Sequence, residues 1–389
     1  MLRIRLILGE PLSRLFLAAC LLINLLSTTL GLFPTPTHAA SQTISVPEDF
    51  ETIQAAVNTA SPGDTIQVAA GIYYECVTVN KTVTLIGEDP LTTIIDGIVF
   101  VKNVSNVVIS RFTIRNGGDG IFLEYCTDCT INGNIIKSIC PHPSILLEYS
   151  EGNVVYNNSL LSSCDGIGLF ESNKNVFANN KISDNTREGI RIVSSKDNVI
   201  SANEITGNRE WGISLLFDHT HGNIIKGNTV SKNYYGIVIQ GANGNAIYHN
   251  NFINNTHQIY MYGNERNMWD DGYPFGGNYW SDYNGTDLHC GPYQDVTGSD
   301  GIGDTPYVID EYNKDRYPFV NPWVPKVLGD INSDGITDIF DLTIAATAFA
   351  SKPGYPNWNP DTDVYTDRII DIFDFVIIAV NYGKTAEDP

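Results

Sequence analysis

The strings GIGLFESNKNVFANNKISDN from Gly166, GIRIVSSKDNVISANEITGN from Gly189 and GIVIQGANGNAIYHNNFINN from Gly236 are copies of one unit. Equivalent starts fall at residues 97, 120, 144, 166, 189, 212 and 236, a spacing of 22 to 24 residues. Self-similarity at such a period is the mark of stacked units rather than of a conventional globule. Inside each unit, short alternating runs are separated by Gly, Asn and Ser turns, which is how strands read. Ile121, Ile145, Ile167, Ile190, Ile213 and Ile237 share one column. Ile131, Val155, Phe177, Ile200, Ile225 and Ile247 share a second, and Ile136, Leu160, Ile182, Ile205, Val230 and Phe252 a third. No single unit can bury three apolar strands, but stacked units enclose a continuous three-sided core. The expected fold is therefore mainly β, a right-handed parallel β-helix with three strands per coil of about 23 residues.

Asparagine recurs every five residues between these strands: Asn175, Asn180 and Asn185, then Asn198, Asn203 and Asn208, then Asn245, Asn250 and Asn255. Asn tolerates the left-handed backbone of a tight corner. Stacked one coil apart, its amides can also bond as a ladder. Such regularity points to architecture rather than to a sugar site.

Residues 1–39 read as a signal peptide, with Arg3, Arg5 and Arg14 before an apolar run and the small residues of THAA at the cleavage position. Retention as an anchor is the alternative. No second apolar span follows, so the remainder is expected outside any membrane, secreted or at the cell surface. Export allows the cysteines to oxidise. Cys140 and Cys164 stand one coil apart, within disulfide range. A net charge of -21, from 23 Lys+Arg against 44 Asp+Glu, argues against nucleic acid, which needs a basic footprint.

The entry VPEDFETIQAAVNTASPGDTIQVAAGIYYECVTVNKTVTLIGED, Val46 to Asp89, resembles that of the pectin-lyase-like superfamily. The resemblance implies an amphipathic helix near residues 50–60 that caps the open end of the core. The segments GNERNMWDDGYPFGGNYWSDYNG from Gly263 and SDGIGDTPYVIDEYNKDRYPF from Ser299 resemble the β-helix family named for NosD, a periplasmic factor for copper-site assembly. That resemblance covers residues 45–320 and implies the fold. Domains of this kind recur in surface proteins tied to carbohydrate binding or sugar hydrolysis, so it does not by itself imply copper. The domain reading is a β-helix over 40–325, with caps at 46–62 and 263–320.

The tail, 326–389, carries two acidic loops. Asp330, Asn332, Asp334, Ile336 (through its carbonyl), Asp338 and Asp341 occupy positions 1, 3, 5, 7, 9 and 12 of a calcium loop, with Gly335 at the sharp turn. A second copy offers Asp363, Asp367, Ile369, Asp371 and Asp374, but has Tyr365 at position 3 and Arg368 at position 6, so weaker binding is expected. The pair resembles a type I dockerin, which implies a cohesin-like partner and calcium as cofactor. Both copies carry DIFD, so Ile339, Phe340, Ile372 and Phe373 are candidates for partner contact. They are equally placed to pack the two helices together or to dock on the β-helix.

Three constellations bear on catalysis. Glu124 and Glu148 fall at equivalent positions in adjacent coils, with Glu171 one position later. Parallel strands lie roughly 4.8 Å apart, near the carboxylate separation of retaining glycosidases. Asp218, His219 and His221 enlarge one corner and offer proton-transfer groups. Cys126, Cys129, Cys140 and His142 hint at a metal site, although they belong to different corners. Trp211, Tyr234, Tyr235, Trp269, Tyr279 and Trp280 are aromatics for sugar stacking or for packing the end cap. The leading expectation is a surface protein that binds polysaccharide. A polysaccharide lyase or glycoside hydrolase is the alternative, and a surface-layer spacer or copper-related factor stands behind both.

Overall fold

The computed structural model describes residues 41–137, 142–263, 265–324, 329–332, 336–364 and 369–385. The segment 1–39 expected to be a signal peptide lies outside them, as do Cys140, Asp334 and Asp367. Among the described residues, no helix is long and apolar enough to cross a membrane.

The repeats wind as a parallel β-solenoid. One sheet has 10 strands, running from Thr43–Val46 through Thr65–Val68 to Ala246–Tyr248. A second runs from Gly71–Tyr73 to Tyr279–Trp280, and a third from Val77–Val79 to His257–Tyr262. Two long strands, Thr93–Lys102 and Thr113–Glu124, turn a corner and serve both the second and third sheets. Pairing follows the sequence columns: Ile145 lies against Ile167, Ile167 against Ile190, and Val155 against Phe177. All these side chains are fully buried in one core.

Three ladders of asparagine hold the corners. Between the third and first sheets, Asn153, Asn175, Asn198, Asn223, Asn245 and Asn267 each donate Nδ2 or receive at Oδ1 from the next coil. Between the first and second sheets the series is Asn134, Asn158, Asn180, Asn203, Asn228, Asn250 and Asn278. A shorter one follows the second sheet through Asn185, Asn208, Asn233 and Asn255. The left-handed residues are not these asparagines but the ones just before them. Lys174, Asn179 and Asp184 have φ of 54°, 54° and 59°. The ladder position thus selects Asn for its amide, which corrects the expectation that it supplies the left-handed backbone.

The two longer ladders end on buried stops, and the shorter one ends with Asn255 Nδ2 donating to Gln258 Oε1. Asn267 N donates to Asn313 Oδ1 at 3.0 Å, and Asn278 N donates to Asp315 Oδ2 at 2.7 Å. Trp269 and Trp280, expected either to stack on sugars or to pack the end cap, are buried and donate their ring N–H to the same two residues, the packing role. Burial pushes the Asp315 carboxyl up to about 7. At the other end, helix α1 (Ile53–Thr59) buries Ile53, Ala56 and Val57 in the core. It is shorter than the sequence pattern implies because Thr52 is its N-cap, and the Glu75 carboxylate accepts from Ile53 N and Gln54 N.

In the tail, helices α2 (Ile339–Ala348) and α3 (Ile372–Val380) each start on a capping box, Asp338 with Asp341 and Asp371 with Asp374. Ile331, Ala345 and Ile378 form its small core.

Asn203 tests the ladder. Its Oδ1 accepts from Asn180 N and Nδ2, while its own Nδ2 donates to Phe177 O. Asn203→Ala orphans buried groups on the preceding coil and is expected to lower unfolding free energy by about 2–3 kcal/mol in a denaturant titration.

Candidate functional site

The third sheet has an unusual outer face. In five coils a glycine precedes the first core isoleucine: Gly120, Gly166, Gly189, Gly212 and Gly236. A Cβ on Gly189 would meet the Gly212 carbonyl oxygen at 2.5 Å and Ile205 Cγ2 at 2.4 Å. Only glycine permits that approach, and the chain bends there. The residues just before these glycines, among them Asp119, Asp165, Glu188, Trp211 and Tyr235, stand beside the outward columns of the sheet. Glu188 bonds to Ser214, and the Tyr235 ring centroid lies 5.3 Å from that of Tyr260. Consequently several outward residues, including Leu146, Ser214, Leu216 and Val238, are buried.

Carboxylates and cations concentrate on this face. Glu124 and Glu148 are register partners in adjacent strands. Lys102 Nζ lies 2.7 Å from Glu124 Oε2, which leaves Glu148 as the unpaired member next to a neutralised one. Burial, then Glu124, then Asp119 push the Glu148 carboxyl above the usual range. Asp119 is also raised by burial, opposed by His142, whose Nδ1 lies 3.3 Å from Asp119 Oδ1. Further along, Glu188 is sealed from solvent, with Ser214 donating to it and Asp165, Arg187 and Arg191 nearby. Burial pushes its carboxyl up to about 7.

Aromatic rings occupy both ends of the face. Tyr125 and Tyr149 are exposed and stacked, with centroids 4.9 Å apart and planes 9° apart. At the other end Tyr235 stacks on His257 at 4.9 Å, next to Tyr234 and Tyr260. Five strand steps separate Ile145 from Ile259. At roughly 4.8 Å per step the two platforms stand roughly 24 Å apart along the solenoid axis, one at each edge of the sheet.

The other predicted residues go elsewhere. Asp218, His219 and His221 lie exposed in the corner after the strand Trp211–Leu216. Leu216 is three register steps from Glu148, roughly 14 Å, so this corner does not join the glutamate pair. Cys126 and Cys129 are buried in the core and unbridged, heading two corner ladders: their backbone N–H groups donate to Ser150 Oγ and Asn153 Oδ1. His142 instead belongs to the outer face, so among the described residues Cys126, Cys129 and His142 do not form one metal centre. Cys164 is disulfide-bonded.

In the tail, Asp341 is buried and its carboxylate accepts from Ile331, Asn332 and Asp338 N–H groups. Asp371 N donates to Asp374 Oδ2 at 2.8 Å in the second loop. Ile336 pairs with Thr385 in an antiparallel bridge. Ile339, Phe340, Ile372 and Phe373 are all exposed, at 55% to 62%.

Sequence reasoning passed over Asp119, Asp165 and Glu188. The signal was present as a carboxylate recurring directly before the repeat's Gly-Ile pair. It was hidden because alternation assigns that position to a corner rather than to a face.

A model of the family described as periplasmic copper-binding protein (NosD) matches residues 57–285. No curated protein matches the chain. Among solved structures, the chain is similar to an alginate lyase from Paenibacillus sp., with 16% identity over 61% of this chain and 97% of that one, and a TM-score of 0.43. It is similar to a mannuronan C-5 epimerase module from Azotobacter vinelandii at 16% identity, 56% and 92% coverage, and a TM-score of 0.33. The Dettilon tailspike protein gives 15%, 54% and 50%, and 0.45. Likenesses this distant carry no residue roles. Copper does not fit the donors described: among the described residues no three His, Cys, Asp or Glu side chains converge on one point, and the thiols of Cys126 and Cys129 are sealed in the core.

The Glu188 environment has a measurable sign. Its folded-state carboxyl, up to about 7, binds a proton more tightly than an unfolded glutamate does. Stability therefore falls as pH rises from the unfolded value through about 7. Glu188→Gln is expected to leave stability unchanged in acid and to raise it by up to about 3 kcal/mol above neutrality, read from urea unfolding across pH.

Proposed function

The chain belongs to the NosD family, and from that premise we propose that it is a secreted or cell-surface β-helix protein that binds polysaccharide along the outer face of its third sheet. The observation that carries this reading is the pair of aromatic platforms at opposite edges of the third sheet, Tyr125 with Tyr149 and Tyr235 with His257 and Tyr260, roughly 24 Å apart along the solenoid axis. Exposed stacked rings cover the apolar faces of sugars, and that separation suits a chain rather than a single sugar. The helix α1 and the Trp269–Trp280 end close the solenoid, which leaves its lateral faces as the surfaces for a ligand.

One observation favours a second reading, in which the same face cleaves glycan. Glu148, held above the usual carboxyl range, stands beside Glu124, which pairs with Lys102, and a raised carboxyl next to a salt-bridged one suits acid–base chemistry on a glycosidic bond. In this reading Glu148 is the acid and Glu124 its salt-bridged neighbour. The Asp218–His221 corner stands too far along the solenoid to take part.

We read the tail as a calcium-dependent, dockerin-like attachment module. Asp330, Asn332, Asp338 and Asp341 supply the hard oxygen donors that calcium prefers, joined in the sequence by Asp334 and the Ile336 carbonyl. The second loop, Asp363, Asp367, Ile369, Asp371 and Asp374, lacks a donor at position 3 and a glycine at position 6. Exposed Ile339, Phe340, Ile372 and Phe373 form the face offered to a cohesin-like partner.

A glycan array paired with assays for reducing ends and unsaturated products separates the readings. Binding without turnover, weakened about fivefold by Tyr149→Ala, is the expected result. Product formation lost in Glu148→Gln would move the assignment to an enzyme, and absence of both would remove the glycan role. Calorimetric titration with calcium should show one tight and one weak site, whereas two equal tight sites would contradict the inequality of the loops.

A further inference from the structure

The glycan surface leaves one charged cluster on the third sheet without a role. Arg187 Nη1 lies 3.9 Å from Asp165 Oδ2, and its Nη2 lies 3.9 Å from Glu188 Oε1. Arg191 Nε lies 3.9 Å from that same Oε1. All three separations exceed hydrogen-bond length, so the guanidiniums are attracted to the carboxylates without being bonded to them. Arg191 Nε is buried and has no hydrogen-bond partner.

Arg316 shows what a committed pair looks like in the same protein. Its Nε and Nη2 donate to Asp270 at 3.0 and 2.6 Å. The cluster on the third sheet is built differently. The side chains of Asp165 and Glu188 are only 5% and 2% exposed, while those of Arg187 and Arg191 are 39% and 24% exposed. The carboxylates lie beneath and the guanidiniums face out. Arg191 is braced over the Phe170 ring at 5.5 Å, which limits its freedom. A braced guanidinium that no carboxylate bonds directly keeps its outward donors for the acceptors of an incoming anion.

We propose that Arg187 and Arg191 form an anion subsite for the carboxylate or sulfate ester of an acidic polysaccharide, with the proton on Glu188 setting its net charge. The proposal rests on the glycan reading of this face and adds the class of glycan. The charged groups that face Glu188 are Asp165, Arg191 and Arg187. With both carboxyls ionised, two negative and two positive charges cancel. A proton on Glu188 leaves one positive charge in excess, at the point where the forks meet solvent. The planar fork matches a carboxylate or sulfate in a way a lysine would not.

Calorimetry on the full chain tests this with three oligosaccharides of equal length: an oligogalacturonate, a sulfated galactan and a neutral glucan, each at about pH 5.5 and about pH 8.5 in low salt. An acidic chain should bind about tenfold more tightly than the neutral one at the lower pH, and the advantage should shrink at the higher pH. Glu188→Gln should hold the advantage at both. Arg187→Ala and Arg191→Ala should each erase it while leaving the neutral chain's affinity unchanged. Preference for only one acidic chain supports the subsite and identifies its anion. Equal affinity for acidic and neutral chains at both pH values overturns the subsite and leaves the glycan surface standing. Failure of every glycan to bind removes both. Should an arginine variant fail to fold, Glu188→Gln still decides, because a pH profile identical to wild type overturns the proposal.

Discussion

The amide-to-amide hydrogen bond between one coil and the next is the constraint on which the rest of this protein depends. A corner exposes backbone donors and acceptors that no strand partner can reach, and burial would leave them unsatisfied. The ladder asparagine solves this locally. Asn180, for example, donates from Nδ2 to Val155 O, and both its N–H groups reach Asn203 Oδ1. Because each amide is both donor and acceptor, the solution can repeat without end until something stops it. Asn313 and Asp315 are those stops, and the buried Trp269 and Trp280 complete them.

Fixed corners fix register, and register decides what the outer faces can carry. On the third sheet the bend at Gly166, Gly189 and their equivalents places an extra column of side chains beside the regular outward ones. That column turns an otherwise flat strand surface into one with depth, where Glu188 can be buried and Arg191 left half-satisfied. The contrast between the Arg316–Asp270 pair and the Arg187–Glu188–Arg191 cluster is then informative. The first closes the end of the solenoid with direct bonds, and the second keeps its cations at arm's length.

Much of the fold was legible because a core column is a repeated statement. Ile121, Ile145 and Ile167 each say the same thing about one position, and the structure pairs them as the sequence does. Glu124 and Glu148 were legible for the same reason. The asparagines were seen, but their task was misassigned, because sequence alone does not tell the ladder residue from the left-handed residue before it. Glu188 and Asp165 escaped for a related reason. Their value comes from a bend that glycine allows in three dimensions, and no period of two or of 3.6 records it. Trp269 and Trp280 left two roles open in the sequence, sugar stacking or end-cap packing, and their burial selects the second, because the end of a solenoid needs large apolar side chains to close it.

The central claim is that glycan lies along the outer face of the third sheet, and amide hydrogen exchange with and without a bound oligosaccharide tests it directly. Slowed exchange is expected in the corners that border this face, at residues 162–165, 184–188 and 208–211, with the corners between the first and second sheets, 156–158, 178–180 and 201–203, unchanged. Protection confined to the latter corners would place the ligand on another face and contradict the account.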